Sequence, residues 1–238
     1  MAKLARKSQA KNTANARLPR SAWPPKPERL EAILALLTEL HGDATCELTH
    51  DSPFQLLCAT ILSAQCTDER VNKVTPALFA RFPTPQAMAQ AEPVELESLI
   101  HSTGFFRNKA KNLIGAARMI QLDYAGQVPA NLEQLLRLPG VARKTANVVL
   151  GTCFGLSSGV VVDTHVSRLS QRLGLTRSTT PESIEADLMR ILPRTRWILF
   201  SHQLIWHGRR ICQARSPKCD TCPMTPHCPG SHHLSPAR

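Results

Sequence analysis

Four cysteines near the carboxyl end of the chain have a spacing that suits a metal centre. They lie in the segment CQARSPKCDTCPMTPHC and are separated by six, two and five residues: Cys212, Cys219, Cys222 and Cys228. Four thiolates in one short loop can enclose either a single Zn²⁺ ion or a [4Fe–4S] cluster. Zinc sites usually have two close cysteine pairs, whereas here one close pair is flanked by single cysteines. The spacing therefore favours a [4Fe–4S] cluster over zinc.

The other residues of this loop, and the other cysteines, have simpler interpretations. Arg215 and Lys218 lie between the ligands, where a braced loop can present them to phosphate groups; alternatively, they are only solvated. The remaining four cysteines are scattered through apolar segments and are predicted to be inert core residues: Cys46, Cys58, Cys66 and Cys153. This clustering of half the cysteines favours metal binding over a disulfide framework.

Lys144 and Asp163 are candidates for nucleophilic and acid–base chemistry. Lys144 falls in the first turn of a predicted helix, whose positive end disfavours an ammonium group. An uncharged lysine forms Schiff bases, although a lysine at a helix start also often contacts phosphate. Asp163 ends the run GVVVD, where a rigid carboxylate can stabilise a cationic transition state or simply cap the next helix. The two residues alone do not decide between these roles.

The elements around Lys144 form a predicted helix–hairpin–helix. Asn131 is placed to cap the helix in NLEQLLRL. Pro139 and Gly140 make the bend, because glycine adopts backbone angles closed to other residues. The apolar run after Lys144 then forms the second helix. The amides that begin this helix have no partner within it, so the turn is predicted to bind an anion such as phosphate.

Helical periodicity extends over nearly the whole chain from Pro27 onward. Apolar residues recur at three- and four-residue steps in segments separated by glycine or proline. The predicted helices span residues 28–42, 52–65, 68–82, 94–104, 107–126, 131–138, 143–155, 164–175, 181–193 and 196–212. The only strand-like run is GVVVD at 159–163, and one strand cannot form a sheet. The sequence therefore predicts an all-α protein.

The charge of the chain indicates a polyanionic partner. A net charge of +11 and a pI near 9.7 suit binding to nucleic acid or to an anionic membrane. No apolar run approaches the roughly 20 residues needed to span a membrane, which favours nucleic acid. Residues 1–26 contain four lysines, three arginines and no acidic residue. We expect this segment to be a disordered basic tail that adds affinity for phosphates; a mitochondrial transit peptide fits the same composition.

Several sequence motifs occur together in an order that is typical of one protein family. They are LSAQCTDERVNKVTP from Leu62, GFFRNKAKNL from Gly104, LPGVARKTANVVL, VDTH at 162–165, and the cysteine spacing described above. With these features the sequence closely resembles the endonuclease III family of DNA glycosylases over about residues 27–229. The joint presence of the lysine, the aspartate and the four cysteines is highly specific, whereas the hairpin alone occurs in many DNA-binding proteins.

The resemblance implies a helix–hairpin–helix DNA glycosylase fold with two helical domains and a DNA-binding cleft between them. A six-helix barrel that carries the hairpin is expected at 46–156. The [4Fe–4S] cluster domain is expected to combine 27–45 with 157–229, leaving the basic tail at 1–26 and a C-terminal tail at 230–238. The resemblance also favours a monomer. The chain is expected in the bacterial cytoplasm, at the nucleoid, while its basic tail leaves targeting to an organelle open.

The resemblance further implies a reaction of base excision repair. Enzymes of this kind flip an oxidised pyrimidine, such as thymine glycol, out of duplex DNA. Lys144 would attack C1′ of the flipped nucleotide, displace the base and form a Schiff base, after which β-elimination cuts the strand. Asp163 would stabilise positive charge on the sugar and assist the activation of Lys144. The implied partner is double-stranded DNA that contains damaged pyrimidines or abasic sites.

The resemblance also implies that several other residues contact DNA. Gln65 matches the residue that fills the gap left by the flipped nucleotide, and Phe105 matches a wedge that intercalates between bases. Asn108 and Lys109, close to that wedge, are expected to contact the DNA backbone. The remaining expected contacts lie on and after the hairpin: Leu138, Gly140, Ala142, Arg143, Thr145 and His165.

Two positions depart from the family pattern. Ala142 replaces the second glycine of the usual LPGVG, which would cost about 1 kcal/mol if the position needs a left-handed backbone. Ser216 stands where relatives often have a basic residue. These departures predict an enzyme that is weaker than its relatives.

Three alternative interpretations remain open from the sequence. An adenine-mismatch glycosylase shares the fold and the cluster, but it lacks the nucleophilic lysine and has an additional C-terminal domain. This sequence has Lys144 and only ten residues after Cys228. A noncatalytic DNA-binding relative would keep the fold alone, and a zinc-stabilised DNA module would keep the cysteine loop.

Overall fold

The computed structural model describes residues 23–231. Most of the predicted basic tail and most of the C-terminal tail lie outside the described residues. Within residues 23–231 the chain forms eleven α-helices and no β-strand, so the prediction of an all-α protein is confirmed. The helices are α1 (Pro27–His41), α2 (Pro53–Leu62), α3 (Asp68–Arg81), α4 (Pro85–Ala89), α5 (Pro93–Ile100), α6 (Phe106–Asp123), α7 (Leu132–Arg137), α8 (Arg143–Phe154), α9 (Thr164–Arg172), α10 (Pro181–Ile191) and α11 (Trp197–Arg210).

Polar residues cap the starts of several helices. The side chains of Asn131 and Asp163 accept hydrogen bonds from backbone N–H groups three residues later, as expected for the N-caps of α7 and α9. Four further helices, α2, α3, α4 and α10, are capped in the same way by Ser52, Thr67, Thr84 and Thr180. The short helix α4 was not predicted from the sequence, because five residues are too few to show a helical period.

Two separate hydrophobic cores hold the helices together. The first is formed by residues between Leu48 and Leu150 and contains the apolar faces of α2 to α8. The second combines α1 with residues from Val160 to Met224, which include α9, α10 and α11. Burial of apolar surface is the main driving force for assembling each core. The first core is therefore contiguous in the sequence, whereas the second is built from two distant segments.

Ion pairs connect the two parts. Arg209 on α11 donates to the Asp68 carboxylate at the start of α3, with 2.6 Å between Nη2 and Oδ2, and it also pairs with Glu47. Arg143 at the start of α8 donates from Nε to the carboxylate of Glu185 on α10 over 2.8 Å. These ion pairs bring the N-terminal ends of α3 and α8 to the junction between the two cores.

Candidate active site

The hairpin between α7 and α8 is a tight turn that depends on glycine. Val141 donates its backbone N–H to the Leu138 carbonyl over 3.1 Å, and Gly140 has a φ of 77°, as a type II turn requires at its third residue. A Cβ atom on Gly140 would lie 2.8 Å from Cβ of Asn112 on α6. Both the backbone angle and the packing against α6 therefore require glycine at this position.

Ala142 has an ordinary backbone conformation and does not strain the hairpin. Its φ of −88° and ψ of 169° are extended angles that any residue adopts. The left-handed conformation considered for this position is not present, so the backbone gives no reason for the predicted weaker activity. Ala142 is the N-cap of α8 and has no side-chain hydrogen bond to the first amides of that helix, which remain available to an anion.

We expect Gly140 and Ala142 to respond differently to substitution. Gly140→Ala should lower the free energy of unfolding by about 1–3 kcal/mol and weaken DNA binding, because it combines a left-handed alanine with a clash against Asn112. Ala142→Gly should change the free energy of unfolding by less than about 0.5 kcal/mol, because that position is extended and exposed. Chemical denaturation and binding to an abasic duplex measure these effects; equal responses of the two variants would contradict this account.

Lys144 and Asp163 share one electrostatic neighbourhood with Asp68 and His165. Lys144 is the second residue of α8, Asp163 caps α9, and Asp68 is the first residue of α3. The charges of the other three groups all act on Asp68, and those of Lys144 and Asp163 act on His165. The N-terminal ends of three helices therefore bring a lysine, a histidine and two aspartates within electrostatic range of one another.

The side chains of this neighbourhood differ in exposure and charge. Lys144 is exposed, whereas Asp68, Asp163 and His165 are half-buried. Burial raises the pKa of Asp68, although the nearby Lys144 ammonium partly offsets this effect. Burial lowers the pKa of His165, which favours its neutral imidazole. An accessible amine beside carboxylates held by the fold suits nucleophilic attack with acid–base assistance.

Asp163 is held in place by the helix that it caps. Its Oδ1 accepts the backbone N–H of Val166 over 2.8 Å, which confirms the predicted capping role and engages one carboxylate oxygen. Further along α9, Arg168 donates to the backbone carbonyls of Gly208 and Cys212, so this helix is tied to α11 and to the cysteine loop. The position of the carboxylate is therefore set by the packing of the second core.

Asp68 is a site residue that was not predicted from the sequence. Arg209 holds its carboxylate, and Glu47 shares the same guanidinium group. In the sequence, an acidic residue directly after the cap Thr67 is explained by the favourable charge of a first helical turn. Its place within the motif LSAQCTDERVNKVTP was the only signal of a further role.

The two residues expected to insert into DNA lie on exposed turns with unusual backbone angles. Gln65 follows α2 with a φ of 53°, and Phe105 precedes α6 with a φ of 48°. Left-handed angles are uncommon for residues other than glycine, and such strain concentrates at functional sites. The Phe105 side chain is 64 % exposed, and Asn108 on the first turn of α6 is exposed as well. An exposed aromatic ring on a strained turn is suited to act as a wedge.

Lys109 does not lie on this exposed surface, contrary to the expectation from the sequence. Its side chain is only 4 % exposed, and its ammonium group donates to the carbonyls of Leu62 and Thr103, each over 2.8 Å. A buried ammonium group bound to two backbone carbonyls does not reach a phosphate at the protein surface. The prediction that Lys109 contacts the DNA backbone is therefore wrong.

The other expected DNA contacts divide into exposed and buried side chains. Leu138 and Thr145 are buried, so they can meet DNA only through backbone groups. Arg143 is partly exposed and its Nε is engaged by Glu185. The cysteine loop exposes both of its expected contacts, Arg215 and Lys218.

The four cysteines of the C-terminal loop line a single cavity. Apolar side chains form much of its wall: Leu169, Leu173, Ile211 and Met224. In this geometry, no three or more His, Cys, Asp or Glu side chains among residues 23–231 are arranged to hold a metal ion. The four thiols nevertheless share the cavity, and no carboxylate lines it with them.

Hydrogen-bond donors from α9 and α11 approach the sulfur atoms. Arg172 donates from Nη1 to Sγ of Cys212 over 3.2 Å, and Nε2 of His207 lies 3.5 Å from Sγ of Cys222. Sulfur atoms with donors around them in a largely apolar pocket fit a centre with thiolate ligands.

The fold and this site define a class of protein. Residues 58–194 match the sequence model of the HhH-GPD superfamily base excision DNA repair proteins. This region contains the hairpin, Lys144 and Asp163. The chain is therefore a helix–hairpin–helix protein of base excision DNA repair.

Individual relatives make the assignment more specific. The chain is 58 % identical over 206 residues to endonuclease III of Synechocystis sp., covering 87 % of this chain and 94 % of that protein. It matches a non-covalent endonuclease III–DNA complex with a TM-score of 0.83 and 43 % identity, over 86 % of this chain and 96 % of that chain. A trapped endonuclease III–DNA covalent intermediate matches with the same TM-score and coverage at 42 % identity. The chain belongs to the endonuclease III family and is a DNA glycosylase and abasic-site lyase of base excision repair.

Proposed function

We propose that this enzyme releases oxidised pyrimidines from duplex DNA and cleaves the resulting abasic site through a Schiff base on Lys144. The observation that carries the proposal is an exposed Lys144 at the start of α8 whose charge acts on the same two groups, Asp68 and His165, as the charge of Asp163 does. The trapped covalent complex of a relative with DNA supports a mechanism in which the enzyme and the DNA become joined.

The reaction begins when the lone pair of Lys144 Nζ attacks C1′ of the flipped nucleotide. The bond between C1′ and the base breaks, the base leaves with the electron pair, and Asp163 stabilises the positive charge on the sugar. Opening of the sugar ring gives a Schiff base, which makes the C2′ proton acidic. Loss of that proton drives β-elimination, in which the bond from C3′ to its phosphate oxygen breaks. An amine is needed, because neither water nor a hydroxyl group forms the imine.

DNA is the binding partner, and the hairpin supplies a phosphate site. The amides that begin α8 and the net charge of +11 both favour a polyanion. We expect Phe105 to enter the base stack and Gln65 to occupy the space left by the flipped nucleotide. No helix within residues 23–231 is long and apolar enough to cross a membrane. We further infer that the enzyme acts as a monomer in the bacterial cytoplasm, with thymine glycol as its typical damaged base.

We infer that the cysteine loop holds a [4Fe–4S] cluster. All four candidate ligands are thiols within one loop, and Arg172 donates a hydrogen bond to one of the sulfur atoms. Bound there, the cluster would brace the loop. Arg215 and Lys218, which are exposed on that loop, would then be presented to DNA phosphates. The residues that would hold the cluster are Cys212, Cys219, Cys222 and Cys228.

We expect protein purified without oxygen to contain about four iron and four sulfide ions per chain. Cys219→Ser should lower the iron content and the unfolding temperature, because it removes one ligand of the cluster. Cys153→Ser is the matched control and should leave the iron content unchanged, because that cysteine packs against the other core. Iron and acid-labile sulfide analysis makes the measurement; about one zinc ion per chain without sulfide would support the zinc alternative.

Borohydride trapping tests the proposed reaction. The protein is reduced in the presence of a duplex that contains one thymine glycol or one abasic site. Reduction converts a Schiff base into a stable amine, so a covalent protein–DNA adduct is expected, and peptide mapping should place it on Lys144. Protein that binds the duplex and forms no adduct would support the noncatalytic alternative.

A further inference from the structure

Lys109 connects the two turns that carry Gln65 and Phe105. Its ammonium group donates to the carbonyl of Leu62, the last residue of α2, and to the carbonyl of Thr103, which ends a short 3-10 turn. Gln65 lies three residues after Leu62, and Phe105 lies two residues after Thr103. One side chain therefore joins the bases of both exposed turns.

The surroundings of Lys109 indicate that it holds backbone rather than ligand. Its two acceptors are backbone carbonyls at the ends of helical elements, where no N–H group of the same helix is available to pair with them. A buried ammonium group is costly unless its protons are hydrogen-bonded, so both bonds are needed to keep Lys109 in place. The Leu62 carbonyl, one of these acceptors, begins the segment that leads to Gln65. The ammonium group thus lies beneath the Gln65 turn.

We propose that Lys109 is a positioning residue that fixes the separation between Gln65 and Phe105, so that both side chains enter the duplex together. This inference rests on the proposed insertion of those two residues into DNA. Both have a left-handed backbone, a conformation that persists only where surrounding bonds determine it. Without the two bonds from Lys109, each turn relaxes independently. A shift of about 1 Å in the position of such side chains lowers the reaction rate by up to about 100-fold.

Lys109→Met tests this proposal, because it removes the ammonium group and keeps an apolar stem. Strand cleavage is measured in single turnovers on an intact duplex with an abasic site and on the same duplex with a one-nucleotide gap opposite that site. The gapped duplex has no opposing base at the site, so its cleavage depends little on insertion. Lys109→Met should slow cleavage of the intact duplex by about 10- to 100-fold and of the gapped duplex by less than about threefold.

Two further variants separate positioning from general damage to the fold. Phe105→Ala should give the same pattern, and combining it with Lys109→Met should cause no further loss on the intact duplex, because both changes disable one insertion step. Lys111→Met removes an exposed lysine from the same helix. It should leave the ratio of the two cleavage rates within about twofold of the wild-type ratio.

Equal losses on both substrates would overturn the proposal, and so would no loss on either substrate or additive losses in the double variant. If Lys109→Met lacks the helical circular dichroism of the wild type, Lys109→Gln takes its place in the same comparison. The glutamine amide donates to one of the two carbonyls. This variant should also slow cleavage of the intact duplex much more than cleavage of the gapped duplex. Failure of the wild-type protein to cleave either substrate would instead refute the proposed lyase mechanism.

Discussion

Replacing Lys144 with alanine is expected to abolish the borohydride-trapped adduct and to slow cleavage of an abasic duplex by at least about 10⁴-fold. The amine is the nucleophile, and no hydroxyl group or water molecule can form the Schiff base in its place. Lys144 is exposed at the start of α8, so its removal leaves no cavity and the unfolding temperature should change little. Single-turnover cleavage followed on a denaturing gel measures the effect.

DNA binding distinguishes the loss of the nucleophile from a loss of folding. Lys144→Ala should bind the abasic duplex within about tenfold of the wild-type affinity, because the hairpin amides and the other cations remain. Lys73→Ala is a matched control, since Lys73 is an exposed lysine that pairs with Glu69 on α3. It should cleave at the wild-type rate. A persistent adduct in Lys144→Ala would place the nucleophile elsewhere and contradict the proposed mechanism.

Asp163 is expected to contribute to catalysis separately from its role as a helix cap. Asp163→Asn should slow base release by about 10²- to 10³-fold, since an electrostatic group of this kind lowers a barrier by about 3–4 kcal/mol. Asparagine caps a helix about as well as aspartate does, so the unfolding temperature should stay within about 2 °C of the wild-type value. Single-turnover release of thymine glycol and thermal denaturation provide the two measurements.

Asp163→Ala provides the comparison for the cap. It should slow base release as much as Asp163→Asn does, and it should also lower the free energy of unfolding by about 1 kcal/mol, because α9 loses the bond to the Val166 N–H. Full activity in Asp163→Asn, together with a loss of stability alone in Asp163→Ala, would mean that Asp163 only caps the helix.

The sequence predicted the parts of the site that local rules determine. The turn at Gly140 and the caps at Asn131 and Asp163 follow from residue type and spacing over a few positions, and the structure contains all three. The effect of Ala142 was not predictable in the same way. Its backbone angles are accessible to any residue, so the sequence left a strained and an unstrained conformation equally open.

Side chains that bind a distant part of the chain were predicted wrongly or not at all. Lys109 stands near an exposed wedge and so suggested a phosphate contact, but one of its acceptors is the Leu62 carbonyl, 47 residues earlier. Asp68 has a complete local explanation as a first-turn acid, yet its partner Arg209 lies 141 residues later. Such contacts depend on how the helices pack, and no local pattern of residue types records them.

The second core joins two segments that are far apart in the sequence. During synthesis, α1 therefore leaves the ribosome long before the helices that pack against it have been made. Arg29 on α1 donates to the Leu173 carbonyl, 144 residues further along the chain. Ile33 and Leu37 are fully buried in the same core. The first core is contiguous, so it can form while synthesis of the later helices continues. Of the helices in residues 23–231, the one that is made first is thus among the last to be packed, and until then its apolar face is exposed to chaperones and to aggregation.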